Sequence, residues 1–434
     1  MAKTVELEWI PADGSGLSRR AKQGGKYYAF VPDPLAGMSL KLPSELSRRI
    51  VRIEREIHNL GMRDNTHSLE GVARLLLRSE AVASSRIEGI APNSDKVAMA
   101  ILARESDSGI RGFKESATAV ARNVAILDTI NADLAYKDEL VLDDIVAMQT
   151  ALVAEKPLQG VRTTQNWIGG SDYHPIGAAF VPPPPVEVPR LLDDLIEYFN
   201  GADHAALVQA ALVHAQFETI HPFPDGNGRV GRAMIHALLQ RRGLTDAAVL
   251  PVSMVLATLG DRYVDGLTKF REGDVLAWIS FFVEAAQVAT TKAAELADSV
   301  AALEAEWMDK VNHHRTAQGS KRALKSNSTE FQLLKKLPAM PLVTVPIVKS
   351  ELGISSTSTA RDALDSLTEA GILRKKVIGA GGLLGYFADD VFMLVDDAER
   401  QLASTQFNTR LSPPTNRAVP ALSLIHISEP TRPE

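Results

Sequence analysis

A chain of 434 residues with 45% hydrophobic and 23% charged side chains has the composition of a soluble protein of two or three domains. Its 47 basic and 53 acidic residues sum to −6, which excludes a global positive field for nucleic acid or anionic membrane, and the lack of cysteine excludes disulfides and thiolate metal sites. No run approaches the ~20 apolar residues of a membrane span, MAKTVELEWIPADGSG is no secretory signal, and KDEL at Lys137–Leu140 is internal, so a cytoplasmic protein with no membrane partner is expected.

From Pro43 the periodicity predicts a mainly α fold. PSELSRRIVRIEREIHNLG opens on proline and serine, closes on glycine, and spaces Leu46, Ile50, Ile53 and Ile57 by three and four. SLEGVARLLLRSEAVASSRIEG is a second helix ending near Gly89, and GFKESATAVARNVAILDTI and ELVLDDIVAMQTALV continue the rhythm. The stretch GVRTTQNWIGGSDYHPIGAAFVPPPP, residues 160–185, is rich in glycine, β-branched and aromatic residues and ends in four prolines. It predicts a short β-hairpin with a stiff extended exit. VPRLLDDLIEYFN and DHAALVQAALVHAQFETI return to helix, and RVGRAMIHALLQRRG is a helix with Gly243 at C′.

Helices are expected to about Trp307, followed by the basic, polar linker VNHHRTAQGSKRALKSNS and a separate small unit from about Thr329. Three helices and the glycine-turned hairpin RKKVIGAGGLLGYFADDVFML give that unit the order of a winged helix, an α+β domain. The expected divisions are an N-terminal region 1–100 with a helix at about 66–89, a core 101–300, a linker 301–328, a winged helix 329–400 and a disordered tail 401–434. The final residues LSLIHISEPTRPE read as translated sequencing-adapter sequence, and the natural C-terminus is expected to be missing.

HPFPDGNGRVGR, His221 to Arg232, sits between two predicted helices. Gly226, Asn227 and Gly228 stand where the unpaired amides of a helix start point back at them, and small residues let that backbone approach an anion closely. Arg229 and Arg232 project from the same side of the first turn and suit more than one phosphate. Asp225 could bind Mg2+ bridging phosphate oxygens, and the His221 imidazole could take a proton from an attacking hydroxyl. Base, metal ligand, anion nest and charge clamps suit nucleotidyl or phosphoryl transfer. No lysine followed by serine or threonine comes after the last glycine of this stretch, so it is not a Walker loop.

The stretch resembles the signature of the Fic family, HPFx(D/E)GNGRxxR, with every defined position filled. The resemblance implies a Fic-type helical bundle and transfer of AMP from ATP to a hydroxyl of a protein target, self-modification included. It makes His221 the base, Asp225 the Mg2+ ligand, Gly226, Asn227 and Gly228 the anion hole, and Arg229 and Arg232 phosphate grips. Phe223, His214 and Phe217 are expected to pack rather than react. The hairpin around Gly169, Gly170, Ile176 and Phe180 falls where the family keeps a flap that holds the target segment by β-addition. KYYAFVPDPL resembles the extended segment before many such cores, and the likeness covers roughly residues 25–300 plus the appended winged helix.

SSRIEG matches the family's inhibitory pattern (S/T)xxxE(G/N), with Ser84, Glu88 and Gly89 in place. By that resemblance Glu88 pairs with Arg232 and occupies the fork a γ-phosphate would use. Residues 325–400 hold nine basic and ten acidic side chains, with Arg361 against Asp362, Asp365 and Glu369 on the recognition helix, so a protein contact is favoured over DNA binding. Removal of AMP, a different nucleotide donor, a nucleotide-sensing transcription regulator and a homodimer stay open as alternatives.

Overall fold

In the computed structural model, residues 2–11, 18–61, 69–106, 109–245, 249–319 and 324–406 are described. The chain starts with two antiparallel strands, β1 (Lys3–Trp9) and β2 (Gly25–Val31), with Lys3 opposite Val31 and Trp9 opposite Gly25. Sequence alone suggested only an extended segment here. The hairpin forms because Tyr27, Ala29 and Val31 alternate into the interior while Tyr28 faces out and reaches Glu6 across the ladder.

Helices follow: α1 (Ser44–Gly61), α2 (Leu69–Ile87), α3 (Ser94–Glu105), α4 (Glu115–Ala132), α5 (Leu142–Leu152), α6 (Val188–Asn200), α7 (Ala206–Ile220), α8 (Asn227–Arg241), α9 (Val252–Thr258) and α10 (Gly260–Arg271). The α1 stripe of Leu46, Ile50, Ile53 and Ile57 is buried as its spacing predicts. α3 was not anticipated: it buries Val97 to Leu102 consecutively, which erases the amphipathic signal. Every residue of α7 is buried, so it forms the centre of the bundle, with α8 packed on it beyond the turn at His221.

The segment 160–185 departs from the expected hairpin. It contains no strand, and a single bridge joins Ile168 to Phe180, with N···O distances of 2.8 and 3.1 Å. Gly170 adopts φ 83° and a Cβ there would lie 2.9 Å from the Ala178 Cα, so the chain turns too tightly for a ladder to extend.

The expected linker is also corrected. Helix α11 (Val275–Ala317) runs without a break through most of it, because Val300, Leu303, Trp307 and Val311 prolong the apolar stripe and bury against the C-terminal unit. That unit comprises α12 (Thr329–Lys336), β3 (Leu342–Val343), α13 (Val345–Glu351), α14 (Thr357–Glu369), β4 (Arg374–Val377), β5 (Leu384–Phe387) and α15 (Asp389–Gln406). Its antiparallel sheet has the order β3-β5-β4, and β4 and β5 form the hairpin expected from the glycines between them. α15 packs on α9 and α11, burying Ala398 and Leu402, so residues 401–406 are helical rather than a disordered tail. The adapter-like residues lie outside the described part of the chain.

Candidate active site

The turn after α7 is set by His221, the one non-glycine residue with positive φ among those described, at φ 49° and ψ 60°. A left-handed C-cap usually falls to glycine, and a side chain there costs roughly 1 kcal/mol. Its amide donates to the Phe217 carbonyl at 2.8 Å. Its carbonyl accepts from Arg162 Nε at 2.8 Å and from Asn166 Nδ2 at 3.2 Å. Arg162 is buried and also donates to the carbonyls of Pro183 at 2.6 Å, Thr164 at 3.2 Å and Ile220 at 3.3 Å, so one guanidinium ties segment 160–185 to the turn.

The imidazole itself is 3% exposed, and neither ring nitrogen has a hydrogen-bond partner among the described residues. Burial, then the charges of Arg162 and Arg271, push its pKa down to about 3, against a smaller opposing pull from the Glu218 main chain. At neutral pH the ring is uncharged and able to accept a proton.

The loop that follows is closed by Asn227, whose side chain accepts from the Phe223 amide and donates to the Phe223 carbonyl, both at 2.8 Å. This corrects its expected place: Asn227 and Gly228 form the first turn of α8 rather than preceding it, and the Asn227 side chain is a staple. Only its main-chain amide is left to face an anion, with those of Gly228 and Arg229 beside it by helix geometry. Gly226 supplies the left-handed cap at φ 85°. Gln149 of α5 secures the loop from behind, donating to the carbonyls of Leu158 at 2.8 Å and Asp225 at 3.0 Å.

The two arginines of the motif are held differently. Arg229 is 5% exposed; among the described residues its Nε has no hydrogen-bond partner and its one ion pair is with Asp225 Oδ2 at 3.5 Å. Arg232 is fully engaged by the end of α2: Nε donates to Ser84 Oγ at 2.9 Å, and Nη2 to the Ser84 carbonyl and to Glu88 Oε1, each at 2.8 Å. Burial works against its charge, but Glu88, then Tyr263 and Glu218, outweigh it and hold the guanidinium above its ordinary pKa. Gly89, at φ 76°, turns the chain away just after this contact. The Glu88 carboxylate also lies on α8 itself, since a Cβ built on Gly228 would be 2.0 Å from Oε1.

Asp225 is the accessible carboxylate here, with its side chain 41% exposed and Oδ1 accepting from the Gly226 amide at 2.7 Å. No cluster of three metal-ligating side chains occurs among the described residues. A single accessible carboxylate suits a Mg2+ that keeps several waters and arrives with a polyphosphate.

Of the expected flap residues, Gly169 and Gly170 form the tight turn, Ile176 packs on the small apolar cluster that Tyr27, Ala29, Trp167 and Val181 make, and the Phe180 ring lies under Arg271 of α10 at 3.7 Å. Arg162, Asn166, Gln149, Glu218 and Arg271 were not anticipated. Apart from Glu218, which lies one turn from His221, their contacts run to main-chain carbonyls or between distant elements, for which no local pattern exists. Phe223, His214 and Phe217 pack as expected, with His214 Nε2 2.8 Å from the Tyr263 hydroxyl.

The chain is 28% identical over 214 residues to a protein of Aquifex aeolicus named "Probable protein adenylyltransferase", covering 48% of this chain and 59% of that one. It is 26% identical over 302 residues to protein adenylyltransferase fic-1 of Caenorhabditis elegans, covering 64% and 55%. It thus spans little more than half the length of these curated relatives. The crystal structure of a Fic family protein from Desulfovibrio desulfuricans G20 covers 80% of this chain and 97% of its own at 20% identity, with a TM-score of 0.44. Residues 139–239, which include α5 to α7, most of α8 and the whole stretch from His221 to Arg232, match the Fic/DOC family model.

Proposed function

We propose that this protein is a nucleotidyltransferase that moves AMP from ATP to a serine, threonine or tyrosine hydroxyl of a protein, itself included, and that Glu88 restrains it. The observation that carries this is the neutral, unpartnered imidazole of His221 beside the first turn of α8 and the under-paired Arg229. Phosphates laid on the amides of Asn227, Gly228 and Arg229 would be met by the helix dipole and by Arg229. His221 takes the proton of the target hydroxyl, whose oxygen forms a bond to the α-phosphorus while the bond to the β-phosphate oxygen breaks and pyrophosphate leaves with the electron pair. Asp225 would hold Mg2+, which when bound offsets phosphate charge.

The restraint is steric and electrostatic. Glu88 occupies the surface over Gly228 and one arm of Arg232, so a phosphate there would meet a carboxylate instead of a free guanidinium. Ser84 and Glu88 lie outside the residues matched by the family model, and their role rests on these contacts.

We read the C-terminal unit as a winged helix with a regulatory or protein-contact role. Its basic residues at the β4 edge are already paired: Arg374 with Asp389, Lys375 with Asp365 at 2.8 Å, and Lys376 with Asp95 of α3 at 3.9 Å. Paired cations release few counterions on meeting a phosphate backbone.

The test is label transfer from α-labelled ATP with Mg2+. Glu88→Gly is expected to raise labelling about ten-fold or more, a change of roughly 1.4 kcal/mol. Adding His221→Ala to that variant is expected to abolish it. Equal labelling of wild type and Glu88→Gly removes the restraint, and retained labelling without His221 removes the base.

A further inference from the structure

In the last turn of α7, three residues before His221, Glu218 faces the same histidine that the transfer reaction uses. Its carboxylate Oε2 lies 3.9 Å from His221 Nδ1, both side chains are buried, and among the described residues neither Glu218 Oε1 nor either ring nitrogen has a hydrogen-bond partner. A carboxylate kept only for structure would have its oxygens bonded. This one instead stands in space that the motif itself provides, because a Cβ on Gly231 would come within 2.9 Å of Oε1 and 3.3 Å of His214 Nδ1.

We propose that Glu218 is a positioning residue for His221: its carboxylate holds the Nδ1–H tautomer, leaving Nε2 to accept the target proton, and balances the imidazolium that results. The inference rests on the transferase reading. The step is a transfer of the hydroxyl proton to Nε2, with the Nδ1 proton kept in place, so the positive charge gained by the ring is met by the negative charge of Glu218. The arrangement is a two-residue counterpart of an acid that orients a catalytic imidazole.

Charged and titratable groups surround the pair on every side. Arg232 faces it from α8, Glu88 from beyond the end of α2, Arg271 and Tyr263 from α10, His214 from α7, and Arg162 faces His221 from segment 160–185. Burial first, and Glu88 in the same direction, push Glu218 up to about 7 against the opposing pull of Arg232 and Arg271. The working form is the carboxylate, so transfer falls as pH drops through that region. Removing Glu88 takes away one influence that raises the value, so in a Glu88→Gly parent the fall begins at lower pH.

The experiment compares the Glu88→Gly parent with Glu88→Gly/Glu218→Gln, a near-isosteric change, over pH 5.5 to 9. Expected are an about 10- to 100-fold lower rate at high pH, loss of the acidic limb, a KM for ATP within two-fold and an unchanged melting temperature. Glu218→Asp should recover part of both the rate and the limb. Equal rates for parent and Gln variant at every pH overturn the proposal. Independently of activity, the ring-nitrogen NMR shifts of His221, assigned through His221→Ala, should follow a titration near neutrality in the wild type and lose it in Glu218→Gln. A titration absent from the wild type, or surviving in the variant, overturns the coupling. If the Glu88→Gly parent transfers no label, the transferase reading fails, and the ring-nitrogen result alone decides whether Glu218 and His221 are coupled.

Discussion

The first turn of α8 and the segment 160–185 both border His221, but they are held by opposite means. The α8 turn is stapled from within, by the left-handed cap at Gly226 and the two bonds from Asn227 to Phe223, four residues away. Segment 160–185 has almost no ladder of its own and is held to its surroundings by its Arg162 and Asn166, which reach out to the carbonyls of the motif turn. A self-stapled helix start is thereby set beside a loop whose shape depends on one buried cation.

Three substitutions test this contrast. Arg162→Met should have the largest effect. It leaves the carbonyls of Ile220 and Pro183 without their donor and that of His221 with Asn166 alone, at a cost of about 4 kcal/mol, read as a lower urea midpoint. An unchanged midpoint would mean the segment is held by its apolar contacts alone. Asn227→Ala removes only the local staple and should cost about 1–2 kcal/mol, with the loss confined to faster amide exchange at Phe223 to Gly226. Exchange spreading into segment 160–185 would erase the distinction between the two regions. Phe180→Leu should be smallest, about 0.5–1 kcal/mol, because it removes the Arg271 stack and the tilted ring pair with Phe30 but leaves the bridge to Ile168 intact. A larger loss would show that the ring, and not Arg162, anchors the loop.

The same contrast explains what sequence could disclose. The α1 stripe, the buried α7, the turn and the α8 start are written in neighbouring residues, through spacings of three and four and through glycine at a forced φ. The pairing of Glu88 with Arg232 was legible too, but only through resemblance to a known pattern; nothing in SSRIEG by itself names its partner. Arg162 sits in the polar run VRTTQNW, where an arginine reads as a solvated side chain, and its worth comes from carbonyls nearly sixty residues on. Glu218 lay hidden for a related reason: on a helix buried on all sides, no face marks a carboxylate as special. The supposed hairpin failed on steric grounds, since its glycines and prolines, read as turn signals, are too dense to leave residues for a ladder. The supposed linker failed because its polar residues mask an apolar stripe with Trp307 at its middle.

That stripe has a mechanical consequence. At 1.5 Å per residue the 43 residues of α11 make a rod roughly 65 Å long, with the bundle on its first half and the C-terminal unit on its second. No hinge separates the two bodies along this axle. A molecule that gripped the C-terminal unit could therefore turn it against the bundle only by bending the shaft or stripping Trp307 and its neighbours from their packing, so a push at one end arrives at the other as torque.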